Sequence, residues 1–261
     1  MYVPLLVKDM YGREGLCIDM AYKPGDKLIS TNIFFRMAAF LTFYVVLFVA
    51  SILVWGLYRC SFFGRKKLRQ VGNAITVSNH TLLFDPVLIA MASFPTKPFQ
   101  TLLEATVCAP FVGTLTRLLG GVPVPRRDIH LEFLKEGCLE AFRRKKKIHF
   151  YPEGECYLYN SNPRKFHTGA FFLSAVLDVP IIPVATVFHK RRCRPTVHLH
   201  VLDPVYPSDY NLCKGDGSID QQALKEYAAA VRQKIADKIA EEQGTGIYYK
   251  GAMDRIPGIN A

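Results

Sequence analysis

His80 and Asp85 are the residues whose types and spacing most directly suggest chemistry. They stand in Ser78-Asn79-His80-Thr81-Leu82-Leu83-Phe84-Asp85-Pro86. The histidine follows a short β-branched run, and the aspartate comes five residues later at an expected helix start. The turn between them can fold the carboxylate back onto one imidazole nitrogen. That contact fixes the tautomer and stabilises the imidazolium, leaving the other nitrogen free to take a proton. The logic is that of a Ser-His-Asp relay whose hydroxyl comes from the substrate. The alternative is that Asp85 only caps the helix and His80 is a satisfied loop histidine. Spacing alone leaves both open.

Three further segments carry weaker signals. Gly120-Gly121-Val122-Pro123-Val124-Pro125-Arg126-Arg127 puts two guanidinium groups after a Gly/Pro turn. Arginine there suits bidentate phosphate recognition, or is a solvated basic loop. Phe150-Tyr151-Pro152-Glu153-Gly154-Glu155 places carboxylates directly after a strand, or is a plain turn. Val179-Pro180-Ile181-Ile182-Pro183-Val184 is an apolar strand bracketed by prolines, or simply core.

The elements that must position these residues follow from local patterns. Strands are expected over residues 74–78, 99–103, 148–151, 181–187 and 196–202, from short apolar runs with β-branched residues. Asp85-Pro86 opens a helix over 87–93, with Asp85 as cap. Helices are also expected over 110–119, 128–147 and 169–177. A last helix begins at Ser218, with Gln221 completing a capping box. Leu224, Val231, Ile235 and Ile239 give it one apolar face. Strands alternating with helices imply an α/β fold: a mixed, partly parallel sheet flanked by helices.

Composition places this domain at a membrane. Of 261 residues, 33 are Lys or Arg and 22 are Asp or Glu, a formal charge of +11. Half the chain is hydrophobic and 12% is aromatic, which excludes disorder. A mean hydropathy of +0.11 is high for so basic a chain. The excess sits in residues 37–58, which are 22 residues without a charge. As a helix they span about 33 Å, the thickness of a hydrocarbon core. They are read as a membrane-anchoring helix within an N-terminal segment 1–59, followed by one α/β domain over 60–261. Whether the helix spans the bilayer or lies in one leaflet stays open. Arg59, Arg65, Lys66, Lys67 and Arg69 follow it, which favours the catalytic domain on the cytoplasmic side and attracts anionic headgroups. The seven cysteines show no CxxC spacing and, with the seven histidines, no zinc pattern. They read as ordinary thiols, mostly buried, and no metal is expected. No nucleic-acid motif is present, so membrane headgroups explain the charge better than nucleic acid.

Taken together and in order, the segments resemble the glycerolipid acyltransferase family that forms phosphatidic acid. They are similar to the compact bacterial 1-acylglycerol-3-phosphate acyltransferases. The NHxxxxD block matches residues 79–85, the GxxPxxR-type block 120–126, the PEG block 152–154 and the VPIIPV-like strand 179–184. Phe166-His167-Thr168-Gly169-Ala170 looks like the family's F-x-x-G-A segment. The resemblance covers about residues 70–190. It implies His80 as general base for the acceptor hydroxyl, with Asp85 supporting it. The hydroxyl attacks the thioester of acyl-CoA or acyl carrier protein, with no cofactor. Arg126 would hold the acceptor phosphate, Arg127 would be a second contact, and Glu153 and Gly154 would shape the acceptor site. The implied partners are membrane lipids, a lysolipid acceptor and the acyl donor. An acidic carrier protein could dock on the basic surfaces at 143–147 or 190–194. Solvation near headgroups is the plainer reading of 143–147.

The third block departs from the family's EGTR. Glu155 and Cys156 replace Thr and Arg, which adds a carboxylate and removes a phosphate donor. Arg164, Lys165 or His167 are the residues that could compensate. A lysolipid with an amino-acid or other headgroup is therefore the alternative to lysophosphatidic acid. Two readings of other classes are a catalytically silent lipid-binding protein and a metal-dependent lipid hydrolase.

Overall fold

The computed structural model describes residues 3–8, 14–19, 27–103, 111–124, 131–160, 162–192, 195–213 and 218–243. Val3–Lys8 (β1) and Glu14–Asp19 (β2) pair antiparallel as a separate ribbon. The main sheet has seven strands: Ser61–Phe63 (β3), Ile75–Ser78 (β4), Phe99–Leu103 (β5), Gly121–Val124 (β6), Ile148–Phe150 (β7), Ile181–His189 (β8) and Thr196–Val201 (β9). Their order is β3-β9-β8-β4-β7-β5-β6. From β8 to β6 all neighbours are parallel. β9 runs antiparallel to β8, and β3 pairs parallel with β9. The sheet is mixed, as expected. β4 is buried along its whole length and β8 along nearly all of it. That is why these central strands read as continuous apolar runs rather than alternating ones.

Helices cover both faces. Leu131–Arg143 (α5), Gly169–Leu177 (α6) and Gln221–Gln243 (α7) pack on one, around Ile75, Val77, Ile148 and Ala185. Lys66–Gln70 (α2), Asp85–Ser93 (α3) and the C-terminal half of Ile33–Tyr58 (α1) pack on the other, around Ile182, Val184 and Leu199. Val112–Leu119 (α4) and α3 both lie against α1.

Several boundaries differ from the sequence expectation. α1 starts at Ile33, because the Asn32 side chain accepts from the Phe34 and Phe35 N–H groups and caps it there. The last helix starts at Gln221, since Asp220 Oδ1 takes the Gln222 and Ala223 N–H groups and displaces Ser218 from that role. The Gly120 turn is real, with φ of +99°, but the chain then enters edge strand β6 instead of continuing as a loop. Pro123 is tolerated because β6 has a partner on one side only. The expected helices over 110–119 and 128–147 shorten to α4 and α5, and Pro110 and Asp128 lie outside the described residues. Of the described thiols, Cys60, Cys138 and Cys156 are buried and Cys213 is exposed.

α1 is long and apolar enough to cross a membrane. It buries only a stripe, Ala39, Phe43, Leu47, Val54 and Tyr58, at helical spacing against the domain. Phe34, Met37, Phe40, Leu41, Phe48, Val49, Ile52 and Trp55 point outward. Beside it Phe111 is 92% exposed, with Val112 and Leu115 also open. These residues make one apolar surface too large for a water-facing face.

Candidate active site

The site lies at the carboxyl edge of the parallel strands. β4 leaves this edge toward α3 on one face, and β7 leaves it toward α6 on the other. Where neighbouring strands send their chains to opposite faces a crevice opens, and ligands of α/β sheets bind in such crevices. His80 follows β4 at that edge, and residues 151–154 follow β7.

His80 Nδ1 and Asp85 Oδ2 are 2.8 Å apart. An ionised carboxylate only accepts, so Nδ1 carries the proton and Nε2 is left as the basic nitrogen. The same Oδ2 accepts the Thr81 and Leu82 N–H groups at 2.7 and 2.9 Å. Asp85 is 1% exposed, and these three donors compensate its burial. Its expected role as helix cap is not observed. Phe84 occupies the cap position, Asp85 is already inside α3, and its side chain reaches back to the preceding turn.

A second layer fixes the imidazole from below. The Tyr151 ring stacks on it with centroids 4.2 Å apart. Tyr151 donates its hydroxyl to Gln100 Oε1 at 2.9 Å, and Gln100 Nε2 donates to the Pro86 carbonyl at 2.7 Å. The circuit His80–Tyr151–Gln100–Pro86 thus returns to the start of α3, next to Asp85. Beneath Tyr151, buried His149 meets Thr76 Oγ1 with Nδ1 and Ser78 Oγ with Nε2. Burial lowers the His149 pKa to about 3, so it stays neutral. Asn79 bridges to β8: its Nδ2 donates to the Thr186 carbonyl, and its Oδ1 accepts the Thr186 N–H. That holds the end of β4 where His80 begins.

Glu153 and Gly154 come to the pair, but from behind it. Glu153 is 5% exposed, and its Oε1 accepts the His80 backbone N–H at 3.2 Å. Burial raises its pKa to about 7, against the opposing pull of the His80 and Arg164 backbone N–H groups. Gly154 has φ of +73°, and a Cβ there would come within 3.2 Å of the His167 ring. Glu155 does not stand free. Its Oε2 accepts the Tyr157 hydroxyl at 2.6 Å and faces Arg164 Nη1 at 3.4 Å, while Arg164 lies over the Tyr157 ring. Cys156 is buried, and burial pushes its thiol up to about 12. Arg126 and Arg127 lie outside the described residues; they follow β6, whose C-terminal end is at this same edge.

Residues 59–187 match the protein-family model described as Acyltransferase. Among solved structures, the chain is similar to the 1-acyl-sn-glycerophosphate (LPA) acyltransferase PlsC from Thermotoga maritima. The identity is 19% and the TM-score 0.48, covering 79% of this chain and 95% of that one. Comparison with curated proteins finds no significant match. The matched stretch contains His80, Asp85, Glu153 and Gly154, and the match ends within β8.

Another groove lies away from this crevice. It measures about 1290 Å³ and lies between the start of α1 and the amino edge of the main sheet, by Lys97, Phe99, Gly121 and Lys146. The amino ends of β5 and β6 are the opposite edge from His80, so this groove is not the crevice at the histidine. Tyr151, Gln100, Asn79 and His149 are the supporting residues that sequence reasoning did not single out. The signal for Tyr151 was its place directly after a strand at the motif edge. Gln100 and His149 carried none, because their roles depend on which strands become neighbours.

Proposed function

We propose that the protein transfers a fatty acyl group from an acyl thioester to the hydroxyl of 1-acylglycerol-3-phosphate, forming phosphatidic acid. The observation carrying this is the His80 Nδ1–Asp85 Oδ2 bond at the crevice, within the stretch that matches the Acyltransferase family model. Nε2 of His80 takes the acceptor hydroxyl proton as the oxygen attacks the thioester carbonyl carbon. The C–S bond then breaks, and the imidazolium returns the proton to the leaving thiolate. No group of the enzyme becomes acylated. The donor is acyl-CoA or acyl carrier protein, and no cofactor takes part. Arg126 and Arg127, after β6, are the proposed phosphate contacts.

The acceptor is a lipid, so the crevice must meet the bilayer. The exposed apolar side of α1, continued by Phe111, Val112 and Leu115, supports membrane association. The buried stripe of α1, running along the domain from Ala39 to Tyr58, supports a helix lying in one leaflet, and the basic flank after it supports the cytoplasmic side for the domain. Within the basic flank, Arg65 donates to the Ala92 and Phe94 carbonyls and Lys67 pairs with Asp203. Arg59, Lys66 and Arg69 are left for anionic headgroups.

One observation favours a second acceptor. Glu155 already engages Arg164, so Arg164 is not a free substitute for the missing arginine of the third block. A lysolipid with an amino-acid-containing headgroup is that alternative. The test offers the purified protein a panel of lysolipids with one labelled acyl donor. Transfer to lysophosphatidic acid is expected; reaction of non-phosphate acceptors alone would overturn the phosphatidic acid assignment.

A further inference from the structure

A cluster of imidazoles stands away from the crevice, on the opposite side of the sheet from α3. His198 and His200 are two apart on β9, so both side chains point to one face. His189 ends β8 and shares that face with Val187 and Ala185, which pack toward α7. From α7 comes Glu242. The inward stripe of that helix reads Leu224, Val231, Ile235 and Ile239, all buried, and Glu242 stands three residues on, where another apolar side chain would continue it. A carboxylate on a core-facing stripe costs stability unless something opposite receives it.

Three histidines are opposite. One ligand-type atom each from His189, His198 and Glu242 lie within 4.8 Å of one another. His200 Nε2 is 3.7 Å from Glu242 Oε2. The His189 and His198 rings have centroids 4.1 Å apart. The hydrogen bonding is incomplete: Nε2 of His189 and Nε2 of His200 are both buried without a hydrogen-bond partner among the described residues. His200 is itself only 6% exposed. Buried ring nitrogens left unpaired ask for a ligand.

We infer that His189, His198 and Glu242, with His200 beside them, form a binding site for a divalent transition metal of the zinc class. Imidazole with one carboxylate is a donor set that zinc accepts, at bond lengths of about 2.0–2.1 Å. A tetrahedral ion of that size sets its ligands roughly 3.3 Å apart, so these atoms, within 4.8 Å of one another, must draw together by up to about 1.5 Å. The carboxylate is divided for it. Lys238 Nζ holds Glu242 Oε1 at 2.6 Å, while Oε2 faces the histidines. The ion would tie the C-terminal turn of α7 to the β8–β9 pair. The role is structural and is independent of the acyl transfer at His80.

The test titrates zinc alone into the chelator-treated full-length protein, with affinity read by competition against a chromophoric chelator and the melting temperature followed in parallel. One zinc per chain is expected, with a rise in melting temperature. His198→Ala should weaken binding by about 10–100-fold or more, and Glu242→Gln similarly, with unchanged circular dichroism. Lys238→Met removes the competitor for Glu242 and should leave binding intact or tighter, which guards against loss by misfolding. Absence of saturable one-to-one binding, or equal affinity in His189→Ala/His198→Ala, would overturn the inference.

Discussion

The Tyr151 ring lies under the His80 imidazole, 4.2 Å away and 28° from parallel. Its hydroxyl is tied to Gln100, so the ring cannot follow the imidazole if it swings. Tyr151 therefore acts through His80, as a positioning residue. Tyr151→Phe keeps the stack and should leave kcat within a few-fold. Tyr151→Ala removes the support and should lower kcat about 10–100-fold, because small misplacements of a base are costly. Steady-state rates of both variants, with KM measured separately, decide between positioning and a merely structural role.

Asp85 assigns the His80 tautomer. In Asp85→Asn the amide can still accept the Thr81 and Leu82 N–H groups through its oxygen. That oxygen is the same atom that faces Nδ1, so the Nδ1 proton stays, and what is lost is the charge that stabilises the imidazolium formed as Nε2 takes the acceptor proton. Acyl transfer should fall about 10²–10⁴-fold with little change in melting temperature. Single-turnover rates with a labelled thioester measure it.

Much of this pair was legible because its contact is local. The signals were a strand, a turn and an aspartate five residues on. Local patterns likewise gave α6 and β5 their observed bounds. Asp85 was read as a cap because Asp-Pro is a common helix start; the structure gives its carboxylate to the preceding turn instead. Gln100, the Asn79–Thr186 bridge and buried His149 were not legible, since each depends on strand order β8-β4-β7-β5, which no local signal encodes. β6 was hidden by Gly121 and Pro123, residues a central strand would exclude. The histidines of β8 and β9 had no zinc spacing because Glu242 joins them from a helix 42 residues after His200.

Glu153 should give stability a distinctive pH dependence. Burial, its largest cause, raises the carboxyl pKa from the ordinary 4.5 to about 7. Between those values the folded form holds a proton that the unfolded form lacks. The resulting stabilisation is full below pH 4.5 and is lost as pH rises through 7. The neighbours acting on it are His80 and Asp85, with the Arg164 backbone N–H. Glu153→Gln keeps an oxygen for the His80 N–H and cannot ionise. Relative to the parent it should gain up to about 3 kcal/mol between pH 5 and pH 8. Thermal melts of both proteins at the two pH values check the sign; a parent that loses no more stability than the variant would refute the assignment.

The most direct measurement is acyl transfer by His80→Ala, with a labelled acyl thioester as donor and lysophosphatidic acid as acceptor. The side chain is partly open, and its removal leaves the backbone bond to Glu153 in place, so the fold should persist. If Nε2 of His80 is the base, labelled phosphatidic acid falls to background while circular dichroism and membrane association are unchanged. Transfer at the parent rate by a folded His80→Ala protein would contradict it.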